Sequence, residues 1–125
     1  MALRFEFKSA LQFSIVVFGL SVGVPSWAED RLTLTVSPTV SLSPADIEIE
    51  TRVQPHSDNR LLEVVAESTD FFRSSELPLN GESAPRITSI KFHGLPAGDY
   101  FVTATLKAAN RTIAVEKRFL HVASE

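Results

Sequence analysis

The sequence predicts an all-β domain, an antiparallel sandwich of about seven strands, and three observations predict it. Apolar and polar residues alternate with a period of two through much of the chain, as in strands with one buried face. Turn signals rich in Gly, Pro, Asn and Asp recur roughly every ten residues. No segment of residues 29–125 is a convincing helix, and only residues 60–67 are ambiguous between helix and strand. Short alternating strands with regular turns are typical of antiparallel sandwiches, so we expect one such domain over residues 29–125.

The first 28 residues have the pattern of a secretory signal peptide. Arg4 and Lys8 precede an uncharged apolar run over 10–24, and the small residues Ser26 and Ala28 follow it. A charged start, a short apolar middle and a small-x-small ending are typical of a segment removed on export. We therefore expect cleavage after Ala28 and an exported protein, either periplasmic or secreted. The apolar run is shorter than a spanning helix requires, but an uncleaved anchor stays open as the alternative.

Composition limits both the sources of stability and the classes of partner. The chain contains no cysteine, so the core alone must stabilise the domain in an oxidising compartment. The net charge is −3 at pH 7, and no basic cluster is present. A mildly acidic surface gives no electrostatic reason to bind nucleic acid. After cleavage no stable membrane anchor would remain.

The first two predicted strands flank a proline-rich stretch. In 31–37, leucine and valine alternate with threonine and serine, which indicates a half-buried strand. Val40 and Leu42 continue the alternation between Pro38 and Pro44. Prolines in these positions suit an edge strand or a strand that switches between sheets.

The middle of the chain contains one clear strand and one ambiguous segment. Residues 46–53 alternate strictly, with isoleucine, threonine and valine on the buried face. Residues 60–67 fit a helix through one apolar face, or a strand in which Leu62, Val64 and Ala66 share a face. The segment is short, contains two adjacent valines and lies between strands, so a strand is favoured.

Four further strand-like segments follow. One starts at Phe71 and ends at 77–79, and another covers 87–92. In 100–106, Tyr100 and every second residue after it point inward, while Phe101 points outward. The last strand, 112–122, changes parity, because its two apolar pairs have opposite phase: Ile113 with Val115, and Leu120 with Val122. A bulge near 116–118 would direct both pairs into the core.

The stretch 95–105 resembles the penultimate strand of bacterial immunoglobulin-like and fibronectin type III-like domains. In those families an L-x-x-G-x-Y turn leads into an alternating strand, and Leu95, Gly98 and Tyr100 occupy these positions. The resemblance implies an immunoglobulin-like sandwich in which Tyr100 is a corner residue, with its ring in the core and its hydroxyl bonded to backbone. The chain departs from antibody-type domains because it lacks a cysteine pair and a core tryptophan. Such sandwiches serve many roles, so the resemblance indicates architecture more than function.

Catalytic and metal-binding motifs are not apparent. No serine lies in a G-x-S-x-G or S-x-x-K arrangement, and His56, His93 and His121 are not at metal-ligand spacing. The alternating acids of 46–50 fit the wet face of a strand better than a calcium site, which usually takes its ligands from a loop. We therefore expect a protein that is not an enzyme, without a cofactor or a metal site. The alternative is a small-ligand or metal-ion binding domain that uses the loops around His56 and His93.

Phe71, Phe72 and Arg73 are the candidate partner-binding residues. Adjacent aromatics in a strand point to opposite faces, so one ring can remain uncovered. An exposed aromatic beside an arginine is favoured at interfaces. The alternative is that one ring packs in the sandwich and the other under the following loop; Phe101 raises the same question.

The segment from Phe71 to Leu79, interrupted by Pro78, is also a candidate sheet edge along which a partner could add a strand. We expect an exported immunoglobulin-like module that contacts another exported or envelope protein through such an edge or through its loops. The oligomeric state is left open.

Overall fold

The computed structural model describes residues 31–125, which form two packed β-sheets. A short 3₁₀ helix, Gly81–Ser83, is the only regular element besides the strands in this range. The eight strands are β1 Leu32–Ser37, β2 Val40–Leu42, β3 Ala45–Val53, β4 Leu61–Glu67, β5 Phe72–Pro78, β6 Ile87–Leu95, β7 Gly98–Lys107 and β8 Thr112–Ala123. The predicted all-β class and two-layer arrangement are confirmed. The predicted signal peptide, residues 1–28, lies outside the described residues.

The strands divide into a three-stranded sheet and a five-stranded sheet. The first has the order β1-β3-β6, and the second has the order β2-β8-β7-β4-β5. Neighbouring strands are antiparallel except β2, which runs parallel to β8. Because β1 and β2 lie in different sheets, the chain crosses between the layers at Pro38, and the expectation of a strand that switches sheets is confirmed. Across residues 31–125 we find no helix long and apolar enough to cross a membrane.

The core consists of alternate residues from both sheets. The members contributed by the three-stranded sheet and its loops are Leu32, Leu34, Val36, Ala45, Ile47, Ile49, Val53, Phe92 and Leu95. The five-stranded sheet contributes Leu62, Val64, Ala66, Tyr100, Val102, Ala104, Leu106, Leu120 and Val122. Residues 60–67 are therefore strand rather than helix, and the inward face predicted for that strand is the buried one. Burial of apolar side chains between the sheets is the main stabilising term, at about 25 cal/mol for each Å² removed from water.

Strand β2 places its apolar side chains in solvent. Val40 and Leu42 are 67% and 60% exposed, although they continue the alternation of β1. Val40 pairs with His121, and the neighbours of His121 on both sides point into the core. Pairing with an outward residue of β8 sets Val40 on the outer face of the five-stranded sheet.

The bulge expected near 116–118 is wrong. The register between β7 and β8 is unbroken from Gly98 opposite Val122 to Leu106 opposite Ala114. The only shift lies next to the turn, at Ile113, so that Ile113 packs partly against the core. Val115 then keeps the outward parity and is 52% exposed.

Tyr100 joins the start of β7 to the turn before it. Its side chain is fully buried, and its hydroxyl donates to the carbonyl oxygen of Pro96 at 2.7 Å. The Phe71 ring meets the Tyr100 ring edge-on, with centroids 6.2 Å apart. Gly98 has a φ of +157°, which side chains rarely adopt, and it lies against the same ring. Leu95, fully buried, closes the other end of this turn.

Replacing Tyr100 by Phe should destabilise the domain by about 1–2 kcal/mol, because the Pro96 carbonyl loses its hydrogen bond while the ring stays buried. Urea unfolding of purified protein measures the change. The matched control is Ser89→Ala, which removes an exposed hydroxyl donating to Glu48 at 3.0 Å and should cost less than about 0.5 kcal/mol. Equal losses in the two variants would contradict the role given to Tyr100.

Burial raises the pKa of Tyr100 above its ordinary value, with smaller opposing contributions from Ser68 and Arg73. The unfolded chain loses this proton near pH 10, so the contribution to stability is complete below about pH 10 and is lost as the pH rises further. The chain has one tyrosine, so near-ultraviolet absorbance of tyrosinate reports this residue alone. The native protein should titrate at higher pH than the protein in guanidinium, and coinciding midpoints would contradict this.

Candidate functional site

Three phenylalanines lie in one row across the outer face of the five-stranded sheet. The strand register places Phe119 of β8 beside Phe101 of β7, Phe101 beside Glu67 of β4, and Glu67 beside Phe72 of β5. We call Phe72, Phe101 and Phe119 the phenylalanine row. Their exposed fractions are 61%, 51% and 52% respectively. Large aromatic surface thus faces solvent along one line that spans four neighbouring strands.

The row follows from alternation combined with register. Tyr100 and Leu120 are buried opposite one another on β7 and β8, so the next residue on β7 and the preceding one on β8 both point outward. The rings of Phe101 and Phe119 meet edge-to-face, with centroids 5.8 Å apart and planes 67° apart. This contact orients the two rings while about half of each side chain remains accessible.

On this face, charged residues of opposite sign lie on the two sides of β7. Lys117 of β8 lies on one side, with its Nζ atom 5.2 Å from the centre of the Phe101 ring. Glu67 and Glu63 of β4 and Glu76 of β5 lie on the other side. Lys107 Nζ is 3.4 Å from Glu63 Oε1, which balances one of these carboxylates. The face is therefore basic towards β8 and acidic towards β4 and β5.

The structure separates the three predicted partner-binding residues. Phe72 points outward, whereas Phe71 is half-buried and packs against the core and Tyr100. The Arg73 guanidinium lies 5.1 Å from the centre of the Phe71 ring, and its Nη1 donates to the carbonyl oxygen of His93 at 2.7 Å. Arg73 thus ties the edge of the five-stranded sheet to the edge of the three-stranded one. Phe72 alone of the three presents an open apolar surface.

The sheet edges carry features that oppose the addition of another strand. β5 is an outermost strand of the five-stranded sheet, as the candidate edge requires. However, it contains Pro78, and the side chain of Arg73 is already hydrogen-bonded to the carbonyl oxygen of His93. At the opposite edge, β2 covers only the last residues of β8. There Glu116 and Arg118 lie on the inward-facing parity and pair with each other at 3.2 Å. Proline and inward charges are devices that discourage edge pairing, so the outer face is the better candidate surface.

The loops around His56 and His93 cannot form one binding site. His56 follows the Val53 end of β3, whereas His93 lies beside Asp46 at the Ala45 end. Nine residues of extended strand place these ends roughly 26 Å apart. The two loops therefore lie at opposite ends of the sandwich, and a small ligand or metal ion could contact only one of them.

Each histidine instead pairs singly with a nearby aspartate. The Nδ1–Oδ distances are 3.7 Å for His56 and Asp58, 3.5 Å for His93 and Asp46, and 2.6 Å for His121 and Asp99. The pKa of Asp46 is lowered chiefly because the backbone N–H of Gly94 donates to its carboxylate at 3.0 Å. Nowhere in residues 31–125 do three His, Asp or Glu side chains gather as metal ligands would.

The described surface has open clefts of about 160 to 540 Å³. One of about 310 Å³ lies at the end of the three-stranded sheet, and its lining holds neither a carboxylate nor a histidine. Arg52 and Arg86 line it together with Thr33, Gln54 and Ile87. An acid and a base that could share a proton do not meet there.

Sequence reasoning missed two members of the outer face. Phe119 was not singled out, although the inward parity of Leu120 and Val122 already assigns it outward. The alternation of β1, continued to Val40, did not predict that this side chain faces solvent. Its exposure depends on the pairing of β2 with β8, for which the sequence carries no local signal.

Comparisons with known proteins indicate the fold and leave the role open. No protein-family model matches the sequence, and no curated protein sequence matches it significantly. Among solved structures, the chain is similar to superoxide reductase (neelaredoxin) from Ignicoccus hospitalis, with a TM-score of 0.54 and 9% identity over 73% of this chain and 79% of that one.

Two further likenesses have similarly low sequence identity. A family 76 glycoside hydrolase from a bovine Bacteroides thetaiotaomicron strain has a TM-score of 0.51 and 14% identity, over 73% of this chain and 20% of that one. A CARDB domain from Pyrococcus furiosus has a lower TM-score of 0.45 and 14% identity, over 75% of this chain and 94% of that one. At such identities the likenesses show a common β fold alone, so no activity follows from them.

Serine at Phe71 should destabilise the protein by about 2–3 kcal/mol, because this ring packs against the core and Tyr100. Serine at the adjacent Phe72 is the matched control and should change stability by less than about 0.5 kcal/mol. Urea unfolding monitored by circular dichroism distinguishes the two. A larger loss at Phe72 than at Phe71 would reverse the orientation described for this pair.

Proposed function

We propose that this protein is an exported, non-catalytic module that binds another protein molecule through the outer face of its five-stranded sheet. The phenylalanine row is the observation that carries the proposal. Contiguous exposed apolar surface is costly in water and marks interaction sites in stable proteins. Aromatic side chains also supply much of the binding energy at protein interfaces.

The sandwich itself we assign to the immunoglobulin-like class, which includes the bacterial immunoglobulin-like and fibronectin type III-like domains. Three features support this assignment. The hydroxyl of Tyr100 bonds to the turn before β7, as in a tyrosine corner. The chain passes from one sheet to the other at Pro38, between β1 and β2. The two sheets have three and five strands.

Export is supported by the signal-peptide pattern of residues 1–28, and it makes another exported or envelope protein the expected partner class. The non-catalytic part of the proposal is supported by the histidines, each of which pairs with one aspartate at a separate place. A small-ligand or metal-binding role is the second candidate. The likeness to superoxide reductase bears on it, but at 9% identity this likeness indicates fold only.

A photo-reactive phenylalanine derivative at Thr103, in the middle of the outer face, should give a discrete crosslinked adduct in cells that produce the protein. Thr103 lies between Lys117 and Val65 in the register and directly next to the phenylalanine row. The matched control carries the same derivative at Thr35, on the outer face of the three-stranded sheet, and should give no such adduct.

Adding Phe101→Ser and Phe119→Ser to the Thr103 probe should reduce the adduct at least about tenfold, because interface aromatics commonly contribute 2 kcal/mol or more. Gel electrophoresis with mass spectrometry quantifies the adduct and identifies the crosslinked chain. Equal adducts from Thr103 and Thr35, or an adduct that survives loss of both rings, would contradict the assignment of the surface.

A further inference from the structure

We propose that the occupant of the outer face is a second copy of this chain, packed face to face about a two-fold axis parallel to β7. This inference rests on the proposed function and names the partner of the same surface. A two-fold interface requires a surface that is complementary to itself. The outer face meets this requirement in its charges and in the self-contact of Phe101.

The strand order determines which strands would meet. In the five-stranded sheet, β8 and β4 flank β7, while β2 and β5 lie outside them. A two-fold axis along β7 therefore sets β7 against β7 of the second copy. It also sets β8 against β4, and β2 against β5. Because the axis runs along the strands, residues in one cross-strand row face the same row of the second copy.

The charges on the two sides of β7 then become complementary. Lys117 shares a row with Thr103 and Val65, so it would face Val65 of the second copy. The residues on either side of Val65 on that face of β4 are Glu63 and Glu67. Each lysine would thus lie between two carboxylates of the opposite molecule, and the symmetry makes this contact twice.

An isolated copy retains an unbalanced acidic region that this packing would neutralise. Glu63 and Glu76 stand directly opposite each other on β4 and β5. Like charges in cross-strand positions destabilise a sheet. Lys107 pairs with Glu63, which leaves the carboxylates of Glu67 and Glu76 as an acidic excess next to the phenylalanine row.

Not every exposed apolar residue meets an apolar residue under this symmetry, because Phe119 shares its row with Glu67 and would lie against Glu67 of the second copy. Phe101 of β7 would lie against Phe101 of the second copy. Phe72 of β5 would lie against β2, where Val40 is 67% exposed in the adjacent row.

The size of the face indicates a weak, reversible dimer. Four flat strands with a length of seven residues would cover about 20 by 23 Å. Because the sheet is curled, two copies would bury less than roughly 900 Å² in total. Specific stable interfaces usually bury at least about 1,200 Å². We therefore expect a dissociation constant on the order of 10⁻⁵ to 10⁻³ M. Export into a confined compartment or attachment to a surface would favour the dimer by raising the local concentration of the protein.

Sedimentation equilibrium of the purified protein from about 1 μM to about 1 mM should show a reversible monomer–dimer equilibrium. The dimer should weaken about tenfold or less when salt rises from 50 to about 500 mM, because exposed ion pairs are screened. A protein that remains monomeric at about 1 mM and low salt would overturn the inference.

Two charge-reversed variants provide the sharper test. Lys117→Glu places a third carboxylate between Glu63 and Glu67 of the second copy, and Glu67→Lys places a second cation diagonally next to Lys117 of the second copy, so each variant alone should dimerise at least about tenfold more weakly than the wild-type protein. An equimolar mixture should recover association, because one of its two contacts is the wild-type contact and the other is reversed in sign. Lys91→Glu, an exposed reversal on the three-stranded sheet, is the matched control and should leave the dimer unchanged.

The outcomes distinguish this inference from the proposed function. If Lys117→Glu and Glu67→Lys dimerise like the wild-type protein, or if their mixture recovers nothing, the two-fold packing is wrong. In that case a Thr103 adduct with a different protein would still support the outer face as a binding surface. An adduct of twice the protein's mass that Lys117→Glu abolishes supports both proposals.

Discussion

The register between β7 and its two neighbours is the constraint on which the rest of this structure depends. β7 is the central strand of the five-stranded sheet, and its alternation is aligned with β4 on one side and with β8 on the other. This alignment buries Tyr100 beside Leu120 and leaves Phe101 beside Phe119 in solvent. A slip of one residue would exchange the two faces and expose the core, so the same pairing that stabilises the sandwich also builds the row of aromatics outside it.

The outer face and the edges of the sheet are treated differently by the sequence. Aromatic and aliphatic side chains are left in water on the face, where burial would favour removing them. The edges instead carry Pro78, the ion pair of Glu116 with Arg118, and the contact of Arg73 with the facing sheet. Protected edges beside an unprotected face favour association through side chains over association through backbone hydrogen bonds. The choice of face rather than edge thus comes from comparing the two kinds of surface within one molecule.

Period-two alternation predicted β1, β3, β4 and β7 together with their buried residues, because the opposite sheet covers the inner face of each of these strands. It failed for Val40 and Val115, because the register of β2 and β8 in the five-stranded sheet directs both side chains to the outer face, away from the opposite sheet. The pair Phe71 and Phe72 could be recognised, but which ring packs depends on the position of Tyr100 across the sheet. The outward position of Phe119 could be predicted from the alternation of Leu120 and Val122 alone. Its place beside Phe101 depends on where the hairpin between β7 and β8 shifts register, at Ile113, which the sequence does not indicate.

The division of the first strand between the two sheets has a mechanical consequence. β1 is bonded to β3 in one layer, and a few residues later β2 is bonded to β8 in the other. Tension applied at the amino-terminal side of the domain would therefore act first on one sheet and then on the other. Because this tension would act along the strands, the hydrogen bonds between β1 and β3, and those between β2 and β8, would resist shear together rather than opening one after another.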